Sequence, residues 1–242
     1  DTALTLKSLP KSIIVLGGGA IAVEFAQFFA RFDVKTTVIQ RSAQILRDFD
    51  EDAAAAVTAA FGAEGIDVFT GTQIQSGAKT EEGKAVTFLQ DGEEKTVVAE
   101  EILFALGRSP NTETLDLENA GVETELNGRI KTNGFQQTTA ENIYAGGDCC
   151  GPHEIVHIAI QQGELAVKNI VASGGKTPID YRLLSSIVFT DPQVATVGLT
   201  EKTAKEAGIE IRVASYPFND HGKSMIMDAQ HGFVKLLASP AT

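Results

Sequence analysis

The sequence predicts an α/β fold that begins with a Rossmann-like domain, and three observations lead to this prediction. An apolar strand over 12–16 runs into three glycines and then into apolar helix-forming residues. A second strand over 34–39 completes a βαβ unit, whose strands lie side by side in a parallel sheet. Short alternating segments over 72–100, with a turn signal at Asp91-Gly92, predict an antiparallel β-meander.

The remaining elements are predicted from the same patterns. A helix is expected over 19–32, and a second one that ends near Ala63 has Asp48 or Asp50 as its N-cap. Further strands are expected over 66–69, 101–106, 143–148, 186–189, 194–198, 210–217 and 232–238, and further helices over 155–172 and from 200–201 onward. The strands over 66–69 and 101–106 are predicted to be buried.

The glycine-rich turn after the first strand predicts a pyrophosphate site. Gly17, Gly19 and Ala22 occupy the three small-residue positions of a G-x-G-x-x-G/A pattern, and the residues between them are Gly18, Ala20 and Ile21. The first glycine permits a tight turn, the second admits the phosphates, and the helix N-terminus attracts their charge. A plain glycine turn without a ligand is the alternative interpretation.

The end of the second strand predicts which coenzyme is bound. NAD-binding domains place an acidic residue here, which holds the ribose 2′-hydroxyl, whereas this chain has Gln40 and Arg41, with Arg47 nearby. Guanidinium groups bind a 2′-phosphate that a carboxylate would repel. The pattern therefore favours NADP(H) over NAD(H), unless both arginines are solvated loop charges.

Composition narrows the possible partners. The net charge of −12 over 242 residues argues against nucleic acid and an anionic membrane as main partners.

The only cysteines, Cys149 and Cys150, are adjacent, which excludes a disulfide framework and suits a reducing cytoplasm. No signal peptide or membrane span is expected. The histidines lack metal-ligand spacing, so no metal site is predicted.

Four separated stretches carry a family resemblance. They are G-G-G-A-I-A-V-E at 17–24, A-L-G-R-S-P-N-T at 105–112, N-I-Y-A-G-G-D-C at 142–149 and F-T-D-P-Q-V-A-T-V-G-L-T-E at 189–201. In this order they resemble the class I pyridine nucleotide-disulfide oxidoreductases, the flavoprotein family of dihydrolipoamide dehydrogenase, glutathione reductase and mercuric reductase. The resemblance implies an NAD(P)-binding domain over 1–115, the C-terminal segment of an FAD-binding domain over 116–180, and the start of an α+β dimerisation domain over 181–242.

The resemblance also implies roles for individual residues in the coenzyme domain. Arg41 and Arg47 resemble the arginine pair that clamps the 2′-phosphate in glutathione reductases. Ile74 and Gly107 would lie near the adenosine and nicotinamide ends of the coenzyme. Glu24 matches a glutamate that pairs with a lysine beside the flavin and would support catalysis. At Ala20 many members carry a tyrosine that covers the nicotinamide pocket, which is therefore expected to be more open here.

In the second domain the resemblance implies contacts with FAD. Asp148 matches the carboxylate that binds the ribityl chain, and the backbone of Ile155, Val156 and His157 would pass the flavin. From the residues alone, His157 is expected to be a packed, hydrogen-bonded side chain on an apolar helix face rather than a catalyst.

The whole protein is expected to pass hydride from NADPH through FAD to a disulfide or a mercuric ion, as a homodimer. The family's C-x-x-x-x-C redox pair and its C-terminal His-Glu pair have no counterpart in this sequence. The chain by itself therefore contains no catalytic residue and is expected to be inactive. Two alternatives stay open: a stand-alone NAD(P)-binding module, and a flavin reductase without disulfide chemistry, such as a ferredoxin reductase or an NADH oxidase.

Overall fold

Strand β1 is an inner strand of a four-stranded parallel sheet in the computed structural model, which describes residues 2–240. The sheet has the order β3-β2-β1-β7 and is accompanied by two helices and a three-stranded antiparallel sheet, β4-β5-β6. In chain order these elements are β1 (Ser12–Leu16), α1 (Ala20–Ala30), β2 (Lys35–Ile39), α2 (Glu51–Ala63), β3 (Asp67–Phe69), β4 (Gln73–Lys79), β5 (Lys84–Gln90), β6 (Glu93–Ala99) and β7 (Glu101–Phe104). The predicted α/β class, with a parallel sheet and an antiparallel meander, is confirmed.

Both faces of β1 are buried, which explains its uninterrupted apolar sequence. Ile13 and Val15 pack in a core cluster with residues of α1 and α2. Ile14 and Leu16 point the other way and pack with Phe88 and its neighbours in the meander. Successive side chains of a strand alternate between faces, so a strand covered on both sides must be apolar throughout.

The turns of the meander are fixed by backbone geometry. Asp91 and Gly92 have φ values of 54° and 84°, the left-handed pair that a two-residue hairpin turn requires. At the other turn, Gly83 has a φ of 144°, and an added Cβ would lie 2.6 Å from the Ala99 carbonyl oxygen. Both turns therefore depend on glycine.

Two predicted strands differ from the structure in burial. β7 ends at Phe104 rather than 106, and Phe104 and Leu106 are 70% and 68% exposed. β3 is only half-buried at Val68 and Phe69 and exposed at Asp67. Within residues 2–240, β3 and β7 are the two edges of the sheet, so each has a neighbour on one side only. The prediction that both strands are buried was wrong for this reason.

The chain divides into two units, and the residues from Arg108 to Ser186 form the second. Its one α-helix among the described residues is α3 (Val156–Val171), and three-residue and four-residue 3-10 helices lie at Glu113–Leu115 and Leu117–Ala120. The predicted strand over 143–148 is absent; only Tyr144 makes an isolated bridge, with Gln137. The chain leaves the extended conformation because it bends at Gly147, where φ is 85°.

The first unit includes the chain through Gly107 and again from Ile187 onward. The last elements are β8 (Ser185–Val188), β9 (Val194–Val197), α4 (Glu201–Glu206), β10 (Arg212–Pro217), α5 (Gly222–Ile226) and β11 (Phe233–Ala238). Two-stranded sheets pair β8 with β9 and, antiparallel, β10 with β11. The buried Gln27 of α1 exchanges two hydrogen bonds with the backbone of Asp191, at 2.7 and 2.9 Å. Of the helices in residues 2–240, none has the length and apolar character needed to span a membrane.

Candidate functional site: a glycine turn at the sheet edge

The turn between β1 and α1 has a backbone that only glycine adopts without strain. Gly17 has a φ of 116°, and a Cβ added there would lie 2.3 Å from the carbonyl oxygen of Ala105. The Gly17 N–H donates to the Ile39 carbonyl at 2.9 Å. Gly17 therefore lies between the carboxyl ends of β2 and β7, where the strand order reverses and ligands of open α/β sheets bind.

Of the next two glycines, Gly18 is buried and Gly19 is exposed. A Cβ on Gly18 would come within 3.0 Å of the Gln40 side chain, whereas one on Gly19 would meet no atom within 4 Å. Gly19 is the N-cap of α1, and the first intrahelical bond runs from the Val23 N–H to the Gly19 carbonyl at 3.1 Å. The preceding N–H groups of α1 have no intrahelical acceptor, so the turn can receive an anion.

The first residues of α1 divide into an exposed and a buried set. Ala22 is fully buried, which lets the helix pack close to the sheet. Ala20 is exposed, and Ile21 is 44% exposed. Ala20 and Ile21 are therefore accessible to solvent at the start of the helix, whereas Ala22 is not.

Gln40 lies beside the glycine turn at the end of β2. The register pairs Leu16 with Ile39, so the residues that follow, Gly17 and Gln40, are neighbours. The Gln40 side-chain oxygen accepts the Arg41 N–H at 3.0 Å, and its backbone carbonyl accepts both the N–H and the hydroxyl of Thr72 at 3.1 Å. These three hydrogen bonds hold Gln40 in place, and each is made with an uncharged group.

The two predicted arginines lie on the loop that follows. Arg41 is exposed. Arg47 is 64% exposed and makes a loose contact with Asp48, 3.6 Å between Nε and Oδ1. Leu46, just before it, is buried in a left-handed conformation with a φ of 49°, and its N–H donates to the Gly18 carbonyl at 2.6 Å. This bond ties the arginine-bearing loop directly to the glycine turn.

Ile74 and Gly107 lie at opposite sides of the turn. Ile74 follows Thr72, which is bonded to Gln40, and is 45% exposed. Gly107 is exposed with a φ of 126°, and it follows Ala105, whose N–H donates to the Leu16 carbonyl at 2.9 Å. The geometry thus places the two residues beside β2 and β7 respectively.

Glu24 does not point at the glycine turn. Its Oε1 accepts the backbone N–H of Phe189 at 2.8 Å, so it fastens α1 to the segment after β8. Phe189 itself is 68% exposed.

Asp50 is the N-cap of α2, but its side chain does not cap that helix. The carboxylate instead accepts hydrogen bonds from the N–H groups of Glu201 and Lys202 at 3.2 and 3.3 Å, and it forms an ion pair with Lys235 at 2.8 Å. Burial alone would raise the pKa of Asp50, but these bonds lower it. Asp50 is at the predicted N-cap position, but its side chain does not bond to α2. The N-terminus of a more distant helix, α4, binds the carboxylate instead.

In the second unit, the loop 146–151 is organised by one buried glutamine. Gln162 of α3 accepts the Gly147 N–H at 2.6 Å and donates to the Gly151 carbonyl at 2.8 Å and the Tyr181 hydroxyl at 2.6 Å. Its side chain is completely buried. Asp148 lies in this loop and is exposed.

The start of α3 is more exposed than predicted. Ile155 is the N-cap, Val156 is 78% exposed, and His157 is also exposed. The His157 Nε2 lies 3.1 Å from the Ser185 hydroxyl. The expected hydrogen bond is present. The expected packing of His157 is wrong, because other residues, among them Ile158 and Gln162, form the buried face of α3.

The cysteine pair is unsuited to redox cycling. Cys150 is buried, and burial, followed by the nearby Cys149, raises its pKa to about 11. A thiol that stays protonated at neutral pH is a poor nucleophile.

Sequence reasoning missed three residues that shape these sites: Leu46, Thr72 and Gln162. Gln162 gave a signal, since a glutamine in an otherwise apolar helix pattern must find buried partners. Leu46 and Thr72 gave none, because their roles depend on hydrogen bonds to the backbone of Gly18 and Gln40, on other segments of the chain.

Two family models and several known proteins match this chain. Residues 1–163 match the model of the pyridine nucleotide-disulphide oxidoreductase family, and residues 184–242 match that of its dimerisation domain. The chain is 33% identical over 241 residues to a mercuric reductase of Staphylococcus aureus, covering 100% of this chain and 44% of the relative. It is 34% identical over 235 residues to a dihydrolipoyl dehydrogenase of Geobacillus stearothermophilus, covering 97% of this chain and 50% of the relative.

The chain is also similar in structure to a solved flavoprotein. The HOCl-induced flavoprotein disulfide reductase of Escherichia coli superposes with a TM-score of 0.86 at 29% identity, covering 99% of this chain and 54% of that one. The chain therefore spans about half the length of the relatives that it matches.

Proposed function

The chain belongs to the pyridine nucleotide-disulphide oxidoreductase family, and we propose on that premise that the whole protein is an FAD-dependent oxidoreductase that takes hydride from NADPH and delivers electrons to a disulfide or a mercuric ion. The observation that carries the coenzyme part of this proposal is the glycine turn, whose open side faces the unpaired N–H groups of α1.

The residues of the turn have separate tasks in this proposal. Gly17 makes the bend, Gly18 and Gly19 leave room for the diphosphate, and the N–H groups of Ala20 and Ile21 bind its oxygens. Ala22 keeps the helix close to the sheet. Their fit to a diphosphate is supported by the empty space around an added Cβ at Gly19.

The proposed preference for NADPH depends on charge at the end of β2. Gln40 brings no negative charge to this position, and Arg41 and Arg47 bring two positive ones on a solvent-accessible loop. A 2′-phosphate would receive charge-assisted hydrogen bonds from these guanidinium groups. Ile74 would lie at the adenosine end of the coenzyme and Gly107 at the nicotinamide end.

In the second unit we propose that FAD is held by Asp148 and by the backbone of Ile155, Val156 and His157. The exposed carboxylate of Asp148, on a loop fixed by Gln162, supports this assignment. When bound, the two cofactors supply the hydride and electron transfer. Glu24 would support catalysis by pairing with a lysine beside the flavin, and its Oε1 also accepts the backbone N–H of Phe189.

The acceptor and the assembly are proposed from the relatives. The chain is similar to proteins named mercuric reductase and dihydrolipoyl dehydrogenase, which suggests Hg(II) or a disulfide as acceptor. The match to a dimerisation domain supports a homodimer. We place the protein in the cytoplasm, since its two adjacent cysteines are unpaired.

Steady-state kinetics of the full-length protein test the coenzyme proposal. We expect kcat/KM for NADPH to exceed that for NADH by at least about tenfold, or about 1.4 kcal/mol. Arg47→Gln should reduce this ratio mainly through KM for NADPH. Arg182→Gln, which removes an exposed arginine paired with Asp180, is the control and should leave the ratio unchanged. Equal kcat/KM for the two coenzymes in the unmodified protein would refute the preference.

A further inference from the structure

Lys235 of β11 lies at the centre of three carboxylates. Its Nζ is 2.8 Å from Asp50 Oδ2, 2.8 Å from Asp52 Oδ1 and 2.7 Å from Glu201 Oε1. The Lys235 side chain is only 10% exposed. Burial opposes the charged form, but the three carboxylates outweigh it and raise the pKa of Lys235 above its usual range. The ammonium occupies the place that a metal ion would take between these acids.

The ion pair between Lys235 and Asp50 fixes the end of the loop that carries the arginines. The loop leaves β2 at Gln40 and enters α2 after Asp50. Asp50 is mostly buried, with a side chain 11% exposed, and is bound by Lys235 and by two N–H groups at the start of α4. The end of the loop is therefore fixed by residues more than 150 positions away in sequence.

Arg47 lies between two of the points at which this loop is anchored. Upstream, Leu46 is held by burial and by its bond to the Gly18 carbonyl. Downstream, Asp50 is held by Lys235. The Arg47 side chain makes a loose, exposed contact with Asp48, and the position of its guanidinium therefore depends largely on the backbone between these anchors.

We propose that Lys235 is a positioning residue for coenzyme choice: it holds Asp50, and through Asp50 the loop that presents Arg47 to the 2′-phosphate. This inference rests on the proposed preference for NADPH. The diphosphate is bound elsewhere, at Gly17 to Ala22, and so a loosened loop should weaken binding of NADP⁺ while leaving that of NAD⁺ nearly unchanged.

Calorimetric titration of the full-length protein with NADP⁺ and with NAD⁺ tests this inference. Lys235→Met removes the charge and keeps the chain length; we expect about a tenfold loss of NADP⁺ affinity and less than about a twofold change for NAD⁺. Lys235→Arg should restore most of the NADP⁺ affinity. Lys84→Met, which breaks the ion pair with Glu101 at the opposite edge of the sheet, is the matched control and should change neither affinity.

Asp50→Asn keeps the inference testable if Lys235→Met does not fold. It retains the shape of the side chain and should lower NADP⁺ affinity selectively, as Lys235→Met does. If the unmodified protein prefers NADP⁺ and both variants keep that preference, the role of Lys235 is refuted and the proposed function stands. An equal loss of both coenzymes also refutes it, because it indicates general destabilisation. If the unmodified protein shows no preference, the proposed coenzyme choice is refuted and this inference with it.

Discussion

The two proposed cofactor loops of this chain are held in opposite ways. The glycine turn over 17–22 is fixed by contacts between backbone atoms, since Gly17 lies against the Ala105 carbonyl and the helix begins at Ala20. The loop over 146–151 is fixed by a side chain from another element, because Gln162 bonds to both Gly147 and Gly151.

This difference determines how each loop should respond to mutation. The glycine turn should be sensitive to an added methyl group, because its space is limited by backbone atoms that cannot move cheaply. The 146–151 loop should be sensitive to the loss of one polar side chain, because several buried groups share that partner. Substitutions of each type can therefore break one loop and spare the other.

The largest effect is expected for Gly17→Ala. The new Cβ would meet a backbone oxygen at 2.3 Å in a left-handed conformation, and we expect a cost of more than about 3 kcal/mol in the free energy of unfolding. Urea denaturation followed by circular dichroism measures it. Gly19→Ala is the matched control: its φ is −77° and the added Cβ meets nothing within 4 Å, so it should cost about 1 kcal/mol or less. Equal costs for the two variants would contradict a turn limited by the Ala105 carbonyl.

A smaller effect is expected for Gln162→Leu. The change leaves the buried N–H of Gly147 and the buried carbonyl of Gly151 without their partner, which should cost about 2 to 3 kcal/mol in the free energy of unfolding. Gln161→Leu is the control, because Gln161 is exposed and makes one long bond of 3.4 Å to Asp180; its cost should stay within about 0.5 kcal/mol. A Gln162→Leu protein as stable as the control would mean that the loop is held by something else.

The smallest effect concerns the reactivity of Cys150, which lies in the same loop. Its pKa of about 11 means that the thiolate is scarce at pH 8 and increases as the pH rises toward 11. In a Cys149→Ser protein, burial still raises the pKa of Cys150 whereas the neighbouring thiol no longer does, so we expect the rate of iodoacetamide alkylation to keep rising above pH 9. The Cys150→Ser protein reports Cys149 separately. A plateau of the Cys150 rate near pH 9 would show that the loop is open to solvent rather than packed against Gln162.

The same contrast explains what could be predicted from the sequence. The glycine turn, the meander and the helix bounds were predictable because local backbone preferences determine them, as at Gly17 and Asp91-Gly92. The absent strand over 143–148 and the partners of Asp50 were not, because Gln162 and Lys235 reach them from distant parts of the chain. The exposure of Phe104 and the partial exposure of Phe69 depend on which strands have neighbours, and a strand's own sequence does not show that.

The most direct test of the central claim is a crystal structure of the protein with NADP⁺. We predict that diphosphate oxygens lie about 3 Å from the N–H groups of Ala20 and Ile21, and that the 2′-phosphate lies beside Arg41 or Arg47. A diphosphate bound away from the turn over 17–22, or a turn filled by side chains at saturating coenzyme, would contradict the account.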